Sequence, residues 1–211
     1  MFRAELCIIL DRPEEAEAHL GTSISLSKKY SLAAYLNAAD LKDGWVRVMR
    51  GDIDAGLRQT EAALELLESV PSRRFHLPIR IAIAGRTKAA ANDVEGALAL
   101  FDAALEAAAT TGERWYEAEL FRFKAEMLLA RNNPDVPAVE ECLQTAISIA
   151  QDQEAKFWEV RAAAALAKLW DREGRRTEAR ALLAPVLDWF TEGLGTRDLK
   201  EARVLLDGLS R

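Results

Sequence analysis

The sequence predicts an all-α fold: a right-handed superhelical array of about five helical hairpins, closed by a C-terminal capping helix. Three observations predict it. Ala and Leu, both strong helix formers, supply 67 of the 211 residues. Aromatic residues make up only 7% and there are only 6 prolines, so little in the chain favours strands or interrupts helices. Most informative, one set of small and apolar positions recurs five times along the chain.

The copies start at Ala4, Gly44, Gly85, Ala125 and Ala167, separated by 40, 41, 40 and 42 residues. Seven residues further on stands a turn former: Asp11, Gly51, Asn92, Asn132 or Gly174. A second apolar set follows, Ala16, Leu20 and Ser23 in the first copy and Gly56, Thr60 and Ala63 in the second. It recurs as Ala97, Phe101 and Ala104, and again as Ala179, Leu183 and Val186. In the fourth copy Val139, Leu143 and Ala146 come two residues late, behind the longer Asn132–Pro137 turn. Residues spaced by four and three lie on one helix face, and small ones let two helices approach closely. One hairpin cannot bury that face alone, so neighbours must stack.

First helices are expected over about 2–10, 31–50, 75–91, 115–131 and 155–173. Second helices are expected over about 13–29, 54–70, 93–110, 138–152 and 176–192. These give units of 1–30, 31–72, 73–112, 113–153 and 154–194 in a single repeat domain, with a cap over 196–210. Within the cap, Leu199, Ala202, Leu205, Leu206 and Leu209 form one stripe, away from Lys200, Glu201 and Arg203. Pro71 and Pro78 bracket the second junction, and Gly193-Leu194-Gly195 precedes the cap.

These offsets resemble the tetratricopeptide repeat (TPR), most closely at Leu166, Ala167, Trp170 and Gly174. That repeat has a period of about 34, so each unit here is about six to eight residues longer. A narrower resemblance begins at Gly112-Glu113-Arg114-Trp115-Tyr116-Glu117-Ala118-Glu119-Leu120. It continues through Ala155-Lys156, Trp158-Glu159-Val160-Arg161-Ala162, Leu169-Trp170, Leu182-Leu183-Ala184-Pro185-Val186 and Trp189-Phe190-Thr191-Glu192-Gly193, and ends at Asp198-Leu199-Lys200-Glu201-Ala202. This run is similar to the C-terminal TPR region of large bacterial signalling proteins. In those, a class III adenylate/guanylate cyclase domain or a winged-helix domain precedes an ATPase domain. The resemblance implies a sensing or protein-binding role for the array. It carries over no nucleotide chemistry, since those motifs belong to the other domains.

The net charge of −6 and interspersed signs argue against nucleic acid or an anionic membrane surface as partner. The apolar run Leu6–Leu10 is too short for a span or a signal-peptide core, and the chain reads as cytoplasmic. Chemistry is sparse. Gly85-Arg86-Thr87-Lys88 only scrambles the elements of a phosphate-binding loop. His19, His76, Cys7 and Cys142 are isolated from one another, so no metal, cofactor or catalytic set is expected. Glu14-Glu15 and Glu140-Glu141 stand at second-helix starts, where they suit the helix dipole better than acid–base catalysis. Trp170 and Trp189 are expected to pack, while Trp115 and Trp158 can face either way.

Function is therefore sought on the first helices, which the TPR resemblance places along a concave groove. Four offsets around each small residue then point inward. They select Ala38, Leu41, Trp45 and Val48, then Ile79, Ala82, Arg86 and Ala89. Further along they select Glu119, Arg122, Glu126 and Leu129, then Arg161, Ala164, Lys168 and Asp171. The groove candidates are Leu41, Trp45, Val48, Arg86, Glu119, Arg122, Glu126, Arg161 and Lys168, a surface suited to an amphipathic or partly acidic peptide. The Lys/Asn pattern that clamps a terminal carboxylate is not visible. The leading reading is a non-enzymatic interaction scaffold binding a protein segment; the alternative is a sensor for a small molecule or signalling peptide. The apolar start, with Phe2, Leu6, Cys7, Ile9 and Leu10, suggests a homodimer through the N-terminal hairpin. The alternative is a monomer in which the rest of the hairpin and the next repeat bury those residues.

Overall fold

Residues that tolerate a left-handed backbone decide where this chain reverses. The computed structural model describes residues 1–69 and 76–210 as eleven helices, with no described residue in a strand. α1 is Phe2–Ile9, α2 Pro13–Lys29, α3 Ala33–Met49, α4 Ile53–Ser69, α5 Leu77–Ala90 and α6 Val94–Thr111. α7 is Glu117–Leu129, α8 Val136–Asp152, α9 Lys156–Arg172, α10 Arg176–Asp188 and α11 Arg197–Leu209. Between first and second helices the chain turns left-handed at Asp11, Gly51, Asn92 and Gly174, with φ of 56, 94, 60 and 79°. Asn132 does not adopt that conformation, because its connection is longer. There, Asp135 caps α8 by accepting from the Ala138 N–H at 3.2 Å. Asp93 caps α6 in the same way, from the Gly96 N–H at 2.9 Å.

The helices form two compact units, Met1–Glu113 and Arg114–Arg211. In the first, the hairpins α1/α2, α3/α4 and α5/α6 stack so that α2 packs on α3 and α4 on α5. In the second, the hairpins are α7/α8 and α9/α10, α8 packs on α9, and α11 lies against α9 and α10. The recurring offsets are the core of every hairpin. Ala4, Ala16 and Leu20 are buried, as are Thr60 and Ala63, and Ala97, Phe101 and Ala104. So are Ala125, Val139, Leu143 and Ala146, and likewise Ala167, Ala179, Leu183 and Val186. Each Leu or Phe so buried contributes about 1.5–3 kcal/mol.

The closest crossings use glycine. A Cβ on Gly56 would sit 2.5 Å from the Gly44 carbonyl oxygen and 2.5 Å from a Val48 methyl. A Cβ on Gly85 would meet the Phe101 ring at 2.7 Å. In the second unit alanine occupies the equivalent places, at Ala125, Ala167 and Ala179.

Some expectations change. α10 stops at Asp188 rather than near 192, and the Phe190 N–H turns back to the Leu187 carbonyl at 3.2 Å. Trp189, expected to pack, is 59% exposed just beyond the helix end. Trp115 lies in the turn before α7, not inside a helix. Pro78 does enter the first turn of α5, whereas Pro71 lies outside the described residues. Of the N-terminal apolar residues, Phe2 and Leu6 are 68% and 55% exposed and Cys7 is buried. The cap buries Leu199, Ala202, Leu206 and Leu209 but leaves Val204 72% exposed, so apolar exposure is not confined to one end of the chain.

Candidate functional site

Within Met1–Glu113, α3 and α5 lie side by side, and the residues that follow their small glycines meet. The Arg86 guanidinium carbon stacks 4.2 Å over the Trp45 ring. Trp45 is only 8% exposed, and its indole Nε1 is buried with no hydrogen-bond partner. Leu41 and Val48 are buried in the core, as are Ala38, Ile79 and Ala82. These five positions are buried among neighbouring helices, because α3 is packed against α2, α4 and α5, and α5 against α3, α4 and α6.

Polar groups thread the same helices. Lys42 of α3 pairs with Glu5 of α1, both buried, and the His76 Nδ1 lies 4.0 Å from Glu5. Asn37 donates to the Ala63 carbonyl at 2.9 Å and accepts from Arg80, which is fully buried. Gln59 donates to the Asp40 carbonyl and the Asp43 carboxylate, both at 3.0 Å. Burial raises the pKa of Asp40.

Within Arg114–Arg211 the first helices carry a charge network. Arg122 donates to Glu119 from Nε at 2.9 Å and pairs with Glu126 one turn on. Burial works to lower the Arg122 pKa, but the Glu119 and Glu126 charges outweigh it and the net direction is upward. Arg161 of α9 reaches Glu119 at 3.1 Å and Asp198 of α11 at 3.3 Å. Glu119 and Arg122 are buried, Arg161 is half-buried, and Glu126 and Lys168 are exposed. The predicted inward basic groups Arg122 and Arg161 are therefore already neutralised by the chain's own carboxylates. Asp198, far off in sequence, was not legible as a partner.

A second cluster also went unforeseen. Glu140, expected only to serve the α8 dipole, accepts from the Trp170 Nε1–H at 2.9 Å and from Arg175 at 3.0 Å. The Arg175 guanidinium also lies 4.4 Å over the Trp170 ring. This ties α8, α9 and the start of α10 together. Tyr116 is buried edge-on to Trp158 at 5.4 Å, and Trp115 remains 39% exposed beside it.

A cleft of about 280 Å³ opens between α4, α5 and α6, lined by Leu64, Leu67, Leu77, Ile81, Ala103, Glu106, Ala107 and Thr110. None of the groove candidates lines it. Among the described residues no group of three or more His, Cys, Asp or Glu is placed to hold a metal ion. No described helix is long and apolar enough to cross a membrane.

This architecture is that of TPR-like helical-repeat proteins. Two solved structures of a putative kinesin light chain of Podosopora anserina, with nearly identical TPR-like repeats, are similar to it. One, a single-substitution variant, aligns with a TM-score of 0.60 at 18% identity, covering 87% of this chain and 91% of the other. The second aligns with a TM-score of 0.58 at 16% identity, covering 99% and 95%. At such identities the likeness concerns the fold. No family model matches the sequence, and no curated protein matches it either.

Proposed function

We propose that this chain is a non-enzymatic interaction module whose first helices bind a protein or peptide segment. The five hairpins act as one repeat domain with the unit bounds given above. The observation that carries the reading is the Trp45–Arg86 pair, an aromatic and a cation set together on adjacent first helices of a TPR-like array. Leu41 and Val48 support that pair from the core. Within Arg114–Arg211, salt-bridged Glu119, Arg122, Glu126 and Arg161, with exposed Lys168, are the first-helix groups that orient a partner more than they attract one.

The sequence run beginning at Gly112 supports a setting in bacterial signalling, as the C-terminal region of a cyclase–ATPase or winged-helix–ATPase type of protein in the cytoplasm. No cofactor, nucleic acid or membrane enters this reading. Self-association through the first hairpin belongs to it as well, with exposed Phe2 and Leu6 as the contact. Light scattering over a dilution series reads this directly. A dimer that survives Leu6→Glu rejects the hairpin, and a strict monomer at high concentration rejects self-association.

Site-specific photo-crosslinking tests the main reading. Crosslinkers at Arg86 and Lys168, on first helices, are expected to capture one common partner from the native host. Crosslinkers at Arg58 and Glu141, on second helices, are expected to miss it. Equal capture from both sets overturns the reading.

A further inference from the structure

We propose that the cleft between α4, α5 and α6 binds a small organic cation, an apolar body carrying one ammonium group. The proposal stands apart from the first-helix reading, because none of the groove candidates lines this cleft. The repeat register marks the place. Ala107 of α6 stands 22 residues after Gly85, and Leu26, Leu66 and Trp189 stand at that same offset from Ala4, Gly44 and Ala167. In the fourth copy, whose second helix runs two residues late, the equivalent position is Ile149. The other second helices thus carry a bulky apolar residue where α6 carries alanine, and alanine leaves open the room a larger side chain would occupy. The space beside Ala107, about 280 Å³, is at the small end of ligand pockets and suits one compact molecule better than a length of chain.

The lining sets the chemistry of the ligand. Leu64, Leu67, Leu77, Ile81, Ala103 and Ala107 offer a hydrocarbon body apolar walls on three helices. The two remaining side chains of the lining, Glu106 and Thr110, offer acceptors and no donor. An ionised carboxylate only accepts. The Thr110 hydroxyl directs its proton to carbonyls of its own helix, Glu106 at 3.0 Å and Ala107 at 3.2 Å, and keeps lone pairs for an incoming donor. Backbone N–H groups inside a helix are likewise engaged. A ligand that answers this rim brings N–H groups and positive charge. The cations of α5 do not supply that charge, because Arg80 is held by Asn37, Arg86 lies over Trp45, and Lys88 pairs with Glu61 and Asp93. The chain's net charge of −6 also favours a cation over an anion.

Three probes of one shape that differ in the head group test this: phenylbutylamine, phenylbutanol and phenylvalerate. Each is titrated at neutral pH into the full ¹⁵N-labelled chain while the backbone amide resonances of Ala103, Ala107 and Thr110 are followed. The amine is charged there, as a lysine is. It is expected to move those resonances saturably, about threefold more tightly than the alcohol and at least about tenfold more tightly than the carboxylate. Glu106→Gln, at an exposed position, is expected to remove the preference for amine over alcohol and leave the alcohol unchanged. Ala107→Leu, which installs the residue of α2 and α4, is expected to fill the cleft and abolish binding of both. Undiminished binding in Ala107→Leu, or an amine preference that survives Glu106→Gln, overturns the proposal. So does equal affinity for the three probes, or no saturable binding of the amine at millimolar concentration. An amidated peptide of leucine, alanine and lysine that moves the same resonances at lower concentration than the amine gives the cleft to a partner's side chain, and overturns the small cation. If Ala107→Leu lowers the helical circular dichroism, Glu106→Gln decides alone.

Discussion

The two compact units use one repeat register and settle it with different materials. Met1–Glu113 brings its helices together through Gly44 and Gly56, backbone nearly on backbone, and through Gly85 against the Phe101 ring, and it buries polar pairs between helices: Glu5 with Lys42, Asn37 with Arg80. Arg114–Arg211 spaces its helices with Ala125, Ala167 and Ala179 and gathers arginines into shared networks, Arg122 and Arg161 on Glu119, Arg175 on Glu140 and Glu178. When Lys42 is removed, the buried Glu5 keeps, among the described residues, only His76 near it, at 4.0 Å. A shared network redistributes its partners, so the second unit is the more tolerant of charge loss.

The sharpest break in the comparison is expected from Lys42→Met. It strands a buried carboxylate at Glu5, and chemical denaturation is expected to register a loss of about 3–5 kcal/mol. The double variant Glu5→Leu/Lys42→Met recovers most of it. Arg161→Gln in the other unit loses less than about 1 kcal/mol, since Glu119 keeps Arg122 and Asp198 is partly exposed. Equal losses from Lys42→Met and Arg161→Gln erase the distinction.

Close packing comes next in size. Gly56→Ala adds one methyl against the Gly44 carbonyl and is expected to destabilise by about 1–3 kcal/mol. In the second unit a loss of that size takes a larger side chain, as in Ala167→Leu or Ala179→Leu. Hydrogen exchange in the affected hairpin reads either one locally.

Helix caps give a smaller, pH-dependent effect. The Gly96 N–H, followed by Lys88, lowers the pKa of Asp93 in the folded chain. Its contribution is therefore present above the unfolded carboxylate pKa and disappears as pH falls through the lower, folded value. Asp93→Ala is expected to lose about 1 kcal/mol at neutral pH, with the gap to the parent closing in acid. Asp135→Ala is expected to match it at neutral pH, since its cap bond is alike. The smallest effect is a gain. Ser31 and Glu154 hold φ near +54°, and Ser31→Gly or Glu154→Gly is expected to stabilise by under about 1 kcal/mol. Thermal melts below the parent would show that those side chains hold the turns.

Much of this was legible because close crossings demand small residues, and small residues at fixed offsets show in one sequence. Gly44/Gly56 and Ala167/Ala179 declared their hairpins that way. Trp45 and Arg86 were legible as equivalent positions for the same reason, each following a small residue. Leu41 was not legible as core, because its burial depends on three neighbouring helices at once. Nor was the neutralisation of Arg161, whose partner Asp198 comes from the cap and carries no local spacing signal. Trp189 misled because its helix ends at Asp188, and helix ends are where periodicity is weakest.

The Gly44–Gly56 crossing has a mechanical consequence. A seam where main chain meets main chain, flanked only by the β-branched side chains of Val48 and Thr60, has few rotamers to lose before the helices themselves melt. It owes little to water release, so cooling does not loosen it as it loosens a leucine core. The α3/α4 hairpin should behave as a stiff stave, and adjustment to an arriving partner falls to the looser side-chain seams between one hairpin and the next.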